Sequence, residues 1–326
     1  MRKLLLGTTA LAAATAMSAS ALADVSIAGN YEFKYGSRSS QVAGSDGTYM
    51  AHGDSEMVLT FTNKTDSGLT LAYRYDIGAV GSDGVGLTGD ENSLSISGGF
   101  GKIVLGMDDD AGDAYNIDEM DLPTEEPTGT SASATIGTSS SGVYSDAMKV
   151  AYHLPAMGGL TAGFSFADSG YNNGVDKTSY GAKYTMDAAG ASVTLGYAAN
   201  TTEATTTDLD QTNMGLKVVS GDLSLIVSQG TTEGVDEDID NQGASVAYAM
   251  PNGMNISAYT FKSEDALDAG EELSRSGVEV AYTIASGLTA VVNVEDYDYK
   301  VGTNRDGAST VSDNGTVTAL TLKAAF

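Results

Sequence analysis

The sequence predicts an all-β fold: sixteen antiparallel strands closed into a transmembrane β-barrel, with short periplasmic turns and long external loops. Three observations lead there. Apolar and polar residues alternate at period two along almost the whole chain, as in strands whose two faces meet different surroundings. The connections between these segments alternate as well, one kind short and glycine-rich, the other long and polar. Finally, the chain finishes in an amphipathic strand, "TVTALTLKAAF" (316–326), with no capping helix after it. In a soluble sandwich such a strand is a vulnerable edge. In a closed barrel it pairs with the first strand.

The first element is not part of that barrel. Residues 1–23, "MRKLLLGTTALAAATAMSASALA", read as a secretory signal peptide. Arg2 and Lys3 supply the charged start, the Leu4–Leu6 run and the alanines after it supply the apolar core, and Ala21-Leu22-Ala23 is an A-x-A cleavage site. The core is too short and too rich in alanine for a membrane span of ~20 residues. Residues 24–326 then form one domain.

Its strands follow in order. In "VSIAGNYEFKYGSR", Val25, Ile27, Gly29, Tyr31, Phe33 and Tyr35 share one face, with Ser26, Ala28, Asn30, Glu32, Lys34, Gly36 and Arg38 on the other. In "LTLAYRYDI", Leu69, Leu71, Tyr73, Tyr75 and Ile77 oppose Thr70, Ala72, Arg74 and Asp76. In "KIVLGMD", Ile103, Leu105 and Met107 oppose Lys102, Val104, Gly106 and Asp108. The same reading places strands near 25–38, 50–63, 68–79, 90–98, 101–108, 147–155, 159–168 and 177–187. Eight more follow near 190–199, 211–219, 222–229, 242–250, 253–262, 274–284, 287–299 and 315–326. Each has about the ~10 residues that a tilted strand needs to cross an outer membrane.

The short turns precede Leu69, Lys102, Leu160, Ala191, Leu223, Met254 and Leu288, and each carries a glycine able to take positive φ. The long connections fall near 39–49, 80–89, 109–146, 169–176, 200–210, 230–241, 263–273 and 300–314. A barrel with one periplasmic and one external rim segregates its loops in this way. Lipid offers the backbone no hydrogen bonds, so such a barrel must close.

Composition narrows the function. A formal charge of −27 argues against nucleic acid, which requires a basic footprint. It suits a surface bathed in divalent cations or a passage favouring cations. With no cysteine there is no disulfide framework and no thiol nucleophile. His52 and His153 are the only histidines and lie far apart in the sequence, and neither a P-loop nor G-x-S-x-G is present. The chain advertises no catalytic residues and reads as a non-enzyme.

At this point the residues resemble a family. The signal peptide, "ADVSIAGNYEFKYG", the block "FGKIVLGMDDDAGDAY" leading into a long acidic loop, and the final "LTLKAAF" are together similar to Gram-negative general porins, in particular the Rhodobacter-like alphaproteobacterial group. The resemblance covers the whole mature chain. It implies a water-filled outer-membrane channel for passive diffusion of small hydrophilic solutes and ions, assembled as a homotrimer in lipid. It also implies that Phe326 is the terminal aromatic read by the barrel assembly machinery.

The resemblance further implies that the third long loop, 109–146, folds into the pore as a constriction. Its carboxylates are Asp109, Asp110, Asp113, Asp118, Glu119, Asp121, Glu125, Glu126 and Asp146, with no Lys or Arg among them. In the family such a loop faces basic side chains on the barrel wall. The period-two pattern puts Lys34, Arg38, Arg74 and Lys102 on the inward face, with Lys149 and Lys183 further round. The carboxylates outnumber these cations, so the expected eyelet is net negative and cation-preferring.

Other readings attach to particular residues. Asp236, Asp238 and Asp240 in "DEDIDN" imitate part of an EF-hand, but Asn241 stands where glycine is required and Ala247 where glutamate is required. Loosely bound calcium there, or at 263–272, is the one cofactor the sequence leaves open. Outward tyrosines such as Tyr31, Tyr35, Tyr73, Tyr152, Tyr184 and Tyr248 suit interfacial girdles. Two alternatives stand beside the general pore. One is a substrate-specific channel with a saturable site, and the other is a secreted, calcium-dependent β-rich adhesin or surface-layer protein.

Overall fold

The computed structural model describes residues 24–53, 55–80, 86–123, 147–168, 175–204, 208–235, 237–268, 270–301 and 311–326. The opening strands are β1 (Asp24–Arg38), β2 (Gly47–His52), β3 (Glu56–Lys64), β4 (Thr70–Val80), β5 (Gly86–Gly98) and β6 (Gly101–Asp108). The middle of the wall is β7 (Ala147–His153), β8 (Leu160–Ala167), β9 (Val175–Ala188), β10 (Ala191–Ala204), β11 (Asp208–Ser220) and β12 (Leu223–Gly234). It continues through β13 (Asp238–Ala249), β14 (Met254–Asp265), β15 (Glu272–Ala285), β16 (Leu288–Lys300) and β17 (Asp313–Ala325). Apart from β2 and β3, which both pair with β1, sequence neighbours pair antiparallel, and β17 returns to pair with β1, closing the sheet.

Closure follows the terminal alternation. Tyr31 stands opposite Ala324, Phe33 opposite Leu322 and Tyr35 opposite Leu320, so apolar outward residues meet across the seam. Past Ala325 the ladder gains one more rung: Phe326 N–H donates to Gly29 O at 2.8 Å, and Gly29 N–H donates to Phe326 O at 3.3 Å. At the other end Ser39 N–H donates to Thr316 O at 2.9 Å and Gln41 N–H to Asn314 O at 3.1 Å. Asp313 locks that end, accepting from Ser40 Oγ (2.6 Å), Gln41 N–H (3.1 Å) and Tyr297 OH (2.9 Å).

The seventeen segments fill sixteen places in the wall, because β2 and β3 share one. β1 pairs with β2 up to Phe33↔His52 and with β3 from Asn30↔Glu56, so Tyr31 and Glu32 face the three-residue stretch 53–55. One extra residue makes this a β-bulge. Gly53 N–H donates to Glu32 O at 3.1 Å and Glu32 N–H to Ser55 Oγ at 3.2 Å, and the Glu32 side chain occupies the space beside Gly53. The single strand expected at 50–63 is therefore two segments that begin earlier, at Gly47.

All seven expected short turns are found, each holding a glycine of positive φ. In the turn between β9 and β10, Ala189 joins Gly190 in that region, at φ 51° and 84°, which suits a two-residue hairpin twisted with its strands. The long connections differ from expectation. β10 and β11 continue to a link of three residues at 205–207, and β12 and β13 to one at 235–237. The polar runs 200–210 and 230–241 marked where the strands leave lipid, but the ladder continues into water. Polar cross-strand pairs hold it there, with Thr201 Oγ1 donating to Asp210 at 2.7 Å and Thr212 meeting Thr231 at 2.8 Å.

One set of alternating residues is exposed and apolar, including Tyr31, Phe33, Phe164, Tyr184, Leu195, Leu225 and Val292. The other set is mostly small, polar or charged, with an inward apolar cluster of Phe261, Leu273 and Tyr299. The outward apolar band is what the lipid chains require, and the inward set lines the lumen. Among the described residues there is no α-helix, only two short 3-10 turns, and both lie in the third loop.

Candidate functional site

After β6 the chain turns into the barrel and runs along its inner wall. Asp110 makes the first anchor: Lys149 Nζ on β7 meets its Oδ1 at 2.7 Å, both side chains being buried, and Asn200 Nδ2 on β10 lies 3.4 Å from Oδ2. Ala111 N–H then donates to Ser165 Oγ on β8 and Gly112 N–H to Ser179 Oγ on β9, each at 2.9 Å. Small residues at 111 and 112 let the backbone come this close. A 3-10 turn over Asp113–Tyr115 follows, and Tyr115 OH lies 2.8 Å from His153 Nδ1 on β7. Ile117 N–H donates to Asn213 Oδ1 on β11 at 3.2 Å. Asp118 caps the second 3-10 turn, Glu119–Asp121, by accepting from Met120 N–H at 2.7 Å. Glu119, fully buried, accepts from Ser228 Oγ on β12 at 3.0 Å.

This path divides the predicted carboxylates. Asp110, Asp118 and Glu119 are buried against the wall, whereas Asp109, Asp113 and Asp121 are exposed toward the lumen. Glu125, Glu126 and Asp146 lie outside the described residues. The three exposed carboxyls all sit above the ordinary carboxylate range, chiefly through desolvation. Asp108 adds to the effect at Asp109 and Asp118 adds to it at Asp121. Asp113 is pushed up to about 6 by burial and then by the charge of Asp109.

The cations that oppose these upward shifts are Lys149 and Arg74 beside Asp109, Lys183 beside Asp113, and Lys217 and Lys183 beside Asp121. The expected basic group of Lys34, Arg38, Arg74 and Lys102 is not gathered as one patch around the loop. Lys34 is buried on the inward face of β1. Arg38 donates from Nε to Ser45 O at 2.8 Å in the first loop. Arg74 is held by Asp76 beside it and Glu91 on β5. Lys102 lines a cavity of about 160 Å³ at the root of the third loop, with Asp108, Asp109, Asp113 and His153. Two of the four, Arg74 and Lys102, thus sit at the loop's root.

Lys217 was not among the sequence candidates. Its signal was present: alternation through "QTNMGLK" puts it on the same face as Gln211, Asn213 and Gly215, which are buried inward. Asp238 and Asp240 are exposed on the outward face of β13, and Asp236 lies outside the described residues. No group of three or more His, Cys, Asp or Glu side chains is arranged to hold a metal ion among the described residues. Phe326 projects outward at 85% exposure.

Comparison with known proteins returns to the barrel as a whole. The family model of Gram-negative porins matches residues 7–303. The anion-selective porin from Comamonas acidovorans matches over 93% of this chain and 100% of its own, at 17% identity and a TM-score of 0.72. Outer-membrane expressed OmpT of Vibrio cholerae matches over 94% and 99%, at 15% identity and a TM-score of 0.69. A mutant of Rh. blastica porin matches over 93% and 100%, at 16% identity and a TM-score of 0.66. At these identities the likeness is one of fold. Among curated protein sequences none matches.

Proposed function

Because this chain belongs to the Gram-negative porins, channel-forming barrels of the outer membrane, we propose that it is a cation-preferring pore for passive diffusion of small hydrophilic solutes. The observation that carries this reading is the split in the third loop. Asp109, Asp113 and Asp121 face the lumen, while Lys149 and Arg74 are already engaged by Asp110, Asp76 and Glu91. Lys102, Lys183 and Lys217 offset the three lumen-facing carboxylates, and Asp108 beside them tips the balance to negative. Carboxylates ringing a constriction raise the local cation concentration and lower that of anions.

No reaction is required of such a pore. The barrel supplies a low-dielectric wall, the loop narrows the water column, and the fixed charges sort what passes. Chain assembly belongs to the same reading: residues 1–23 are removed on export, and three copies associate through outward apolar faces in the outer membrane. Exposed Val25, Ile27 and Met50 give the early strands an apolar exterior suited to lipid or to a neighbouring copy.

The test is the zero-current potential of purified protein in a planar bilayer under a KCl gradient. Cation selectivity that fades in concentrated salt is expected, since screening acts within ~8 Å at 0.15 M and less in brine. Anion selectivity, as in the Comamonas porin's description, would overturn the charge assignment and leave the channel intact.

A further inference from the structure

The wall beneath the third loop is built from glycine. Gly163 on β8, Gly181 on β9, Gly196 on β10, Gly215 on β11 and Gly243 on β13 all point their missing side chains at it. Glycine is a poor strand residue, and a left-handed backbone does not explain it here: none of the five has positive φ. What they share is what a Cβ would strike. At Gly181 it would lie 2.8 Å from Tyr115 Cβ, and at Gly196 2.8 Å from both Ile117 Cγ1 and Tyr115 O. At Gly215 it would lie 2.5 Å from Ile117 Cβ and 2.7 Å from Ile117 Cγ2, with Ile117 O nearer still. At Gly243 the three nearest atoms all belong to the Glu119 side chain, its Cγ at 2.7 Å.

The register makes this a continuous trough. Gly163 stands opposite Gly181, and Gly181 opposite Ala198. One lateral row further along the strands, Gly196 pairs with Gly215, Gly215 with Ser228, and Ser228 with Gly243. The loop descends from the Ser165–Ser179 row through these two, a drop of ~13 Å at the rise of a strand. Tyr115, Ile117 and Glu119 enter the trough in turn, as alternate residues should when a stretch of chain lies flat on a surface.

We propose that Gly163, Gly181, Gly196, Gly215 and Gly243 are positioning residues that set the width of the channel, by letting the third loop lie one side-chain layer closer to the wall. At Gly196 and Gly215 a methyl group meets Ile117 and loop backbone and drives the loop toward the lumen by about 1 Å before ordinary contact is restored. At Gly243 it pushes the buried Glu119 side chain off the wall, and at Gly163 and Gly181 it meets the neighbouring strand as well as Tyr115. The inference rests on the loop lying in the conducting lumen. It is independent of the sign of the selectivity, because its readout is conductance and solute size.

Gly215 and Gly243 are the sites to test, since their nearest neighbours belong to the loop alone. Gly215→Ala and Gly243→Ala are compared with Gly99→Ala, where a Cβ meets nothing within 4 Å. Each variant is first shown to keep the heat-modifiable mobility of a folded barrel. Single-channel conductance should fall by roughly a quarter or more in both, with larger sugars excluded more than small ones. Adding Glu119→Ala to Gly243→Ala removes the atoms that clash and should restore conductance. If Gly215→Ala does not fold, the Gly243–Glu119 pair carries the test alone. Folded variants that conduct like Gly99→Ala, or a Gly243→Ala effect indifferent to Glu119→Ala, would overturn the proposal.

Discussion

Replacing Lys149 by methionine isolates what holds the root of the third loop. The Lys149–Asp110 contact is 2.7 Å long and both side chains are withdrawn from water. Removing only the cation leaves a buried carboxylate without its countercharge, which costs ~3–5 kcal/mol. The next two anchors, Ala111 N–H to Ser165 and Gly112 N–H to Ser179, are neutral hydrogen bonds with a net contribution of ~0.5–1.5 kcal/mol each. The penalty exceeds what these two supply together, so the root lifts and Asp110 reaches water. At a factor of ten per 1.4 kcal/mol, the lifted state gains ~100-fold or more in population. The barrel ladder is untouched, so heat-modifiable mobility should not change. Hydrogen exchange read on peptides covering 109–115 should show protection lost at Ala111 and Gly112. Single-channel records should become noisier. The double variant Asp110→Asn/Lys149→Met strands no charge and should recover most of the protection. A folded Lys149→Met protein with native exchange at 111 and 112 would refute the reasoning.

Three further outcomes are expected. Acidification from pH 7.5 to 5 should weaken cation selectivity with a midpoint near 6: Asp113, raised to about 6, loses its charge there, while an unshifted carboxylate near 3.8 stays ionised. Burial sets that midpoint first, with Asp109, Asp118 and Asp121 on the loop raising it further and Lys183 on β9 lowering it, and Asp113→Asn should remove the step from the titration of zero-current potential. Asp313→Ala should free the first loop, since three donors lose one buried acceptor at a local cost of ~2–4 kcal/mol. New protease cleavage within 39–46 on an otherwise intact barrel would register it. Deleting Phe326 removes its two hydrogen bonds with Gly29 and the outward ring, and should lower the folded fraction recovered from cells. Protein that does fold should conduct as before; an undiminished yield would count against a role in assembly.

The wall was legible because lipid on one side and water on the other impose period two on every strand. "NYEFKYG" carries that pattern openly, and Glu32 and Lys34 point inward as read. The bulge at 53–55 was not legible, since one extra residue in the polar run "HGDSE" leaves no periodic trace. Polarity also misplaced the strand ends at 200–210 and 230–241, because it reports where lipid stops and not where pairing stops. In the third loop no period exists to separate Asp113 from Asp110. Only the docking of the chain on Ser165, Ser179, Asn213 and Ser228 decides which carboxylate meets the wall and which meets the water.

The strands that outrun the membrane give the pore a stiff parapet. β9, β10 and β15 each hold 14 residues, beyond the ~9–11 that a crossing needs, and two of the hairpins above β10–β13 end in three-residue tips. Such a rampart has almost no slack chain to fold down over the opening. That sector of the mouth stays open by construction, so any lid-like closure must come from another part of the rim. Solutes approaching from this side pass a fixed ledge before they meet the charged narrows below.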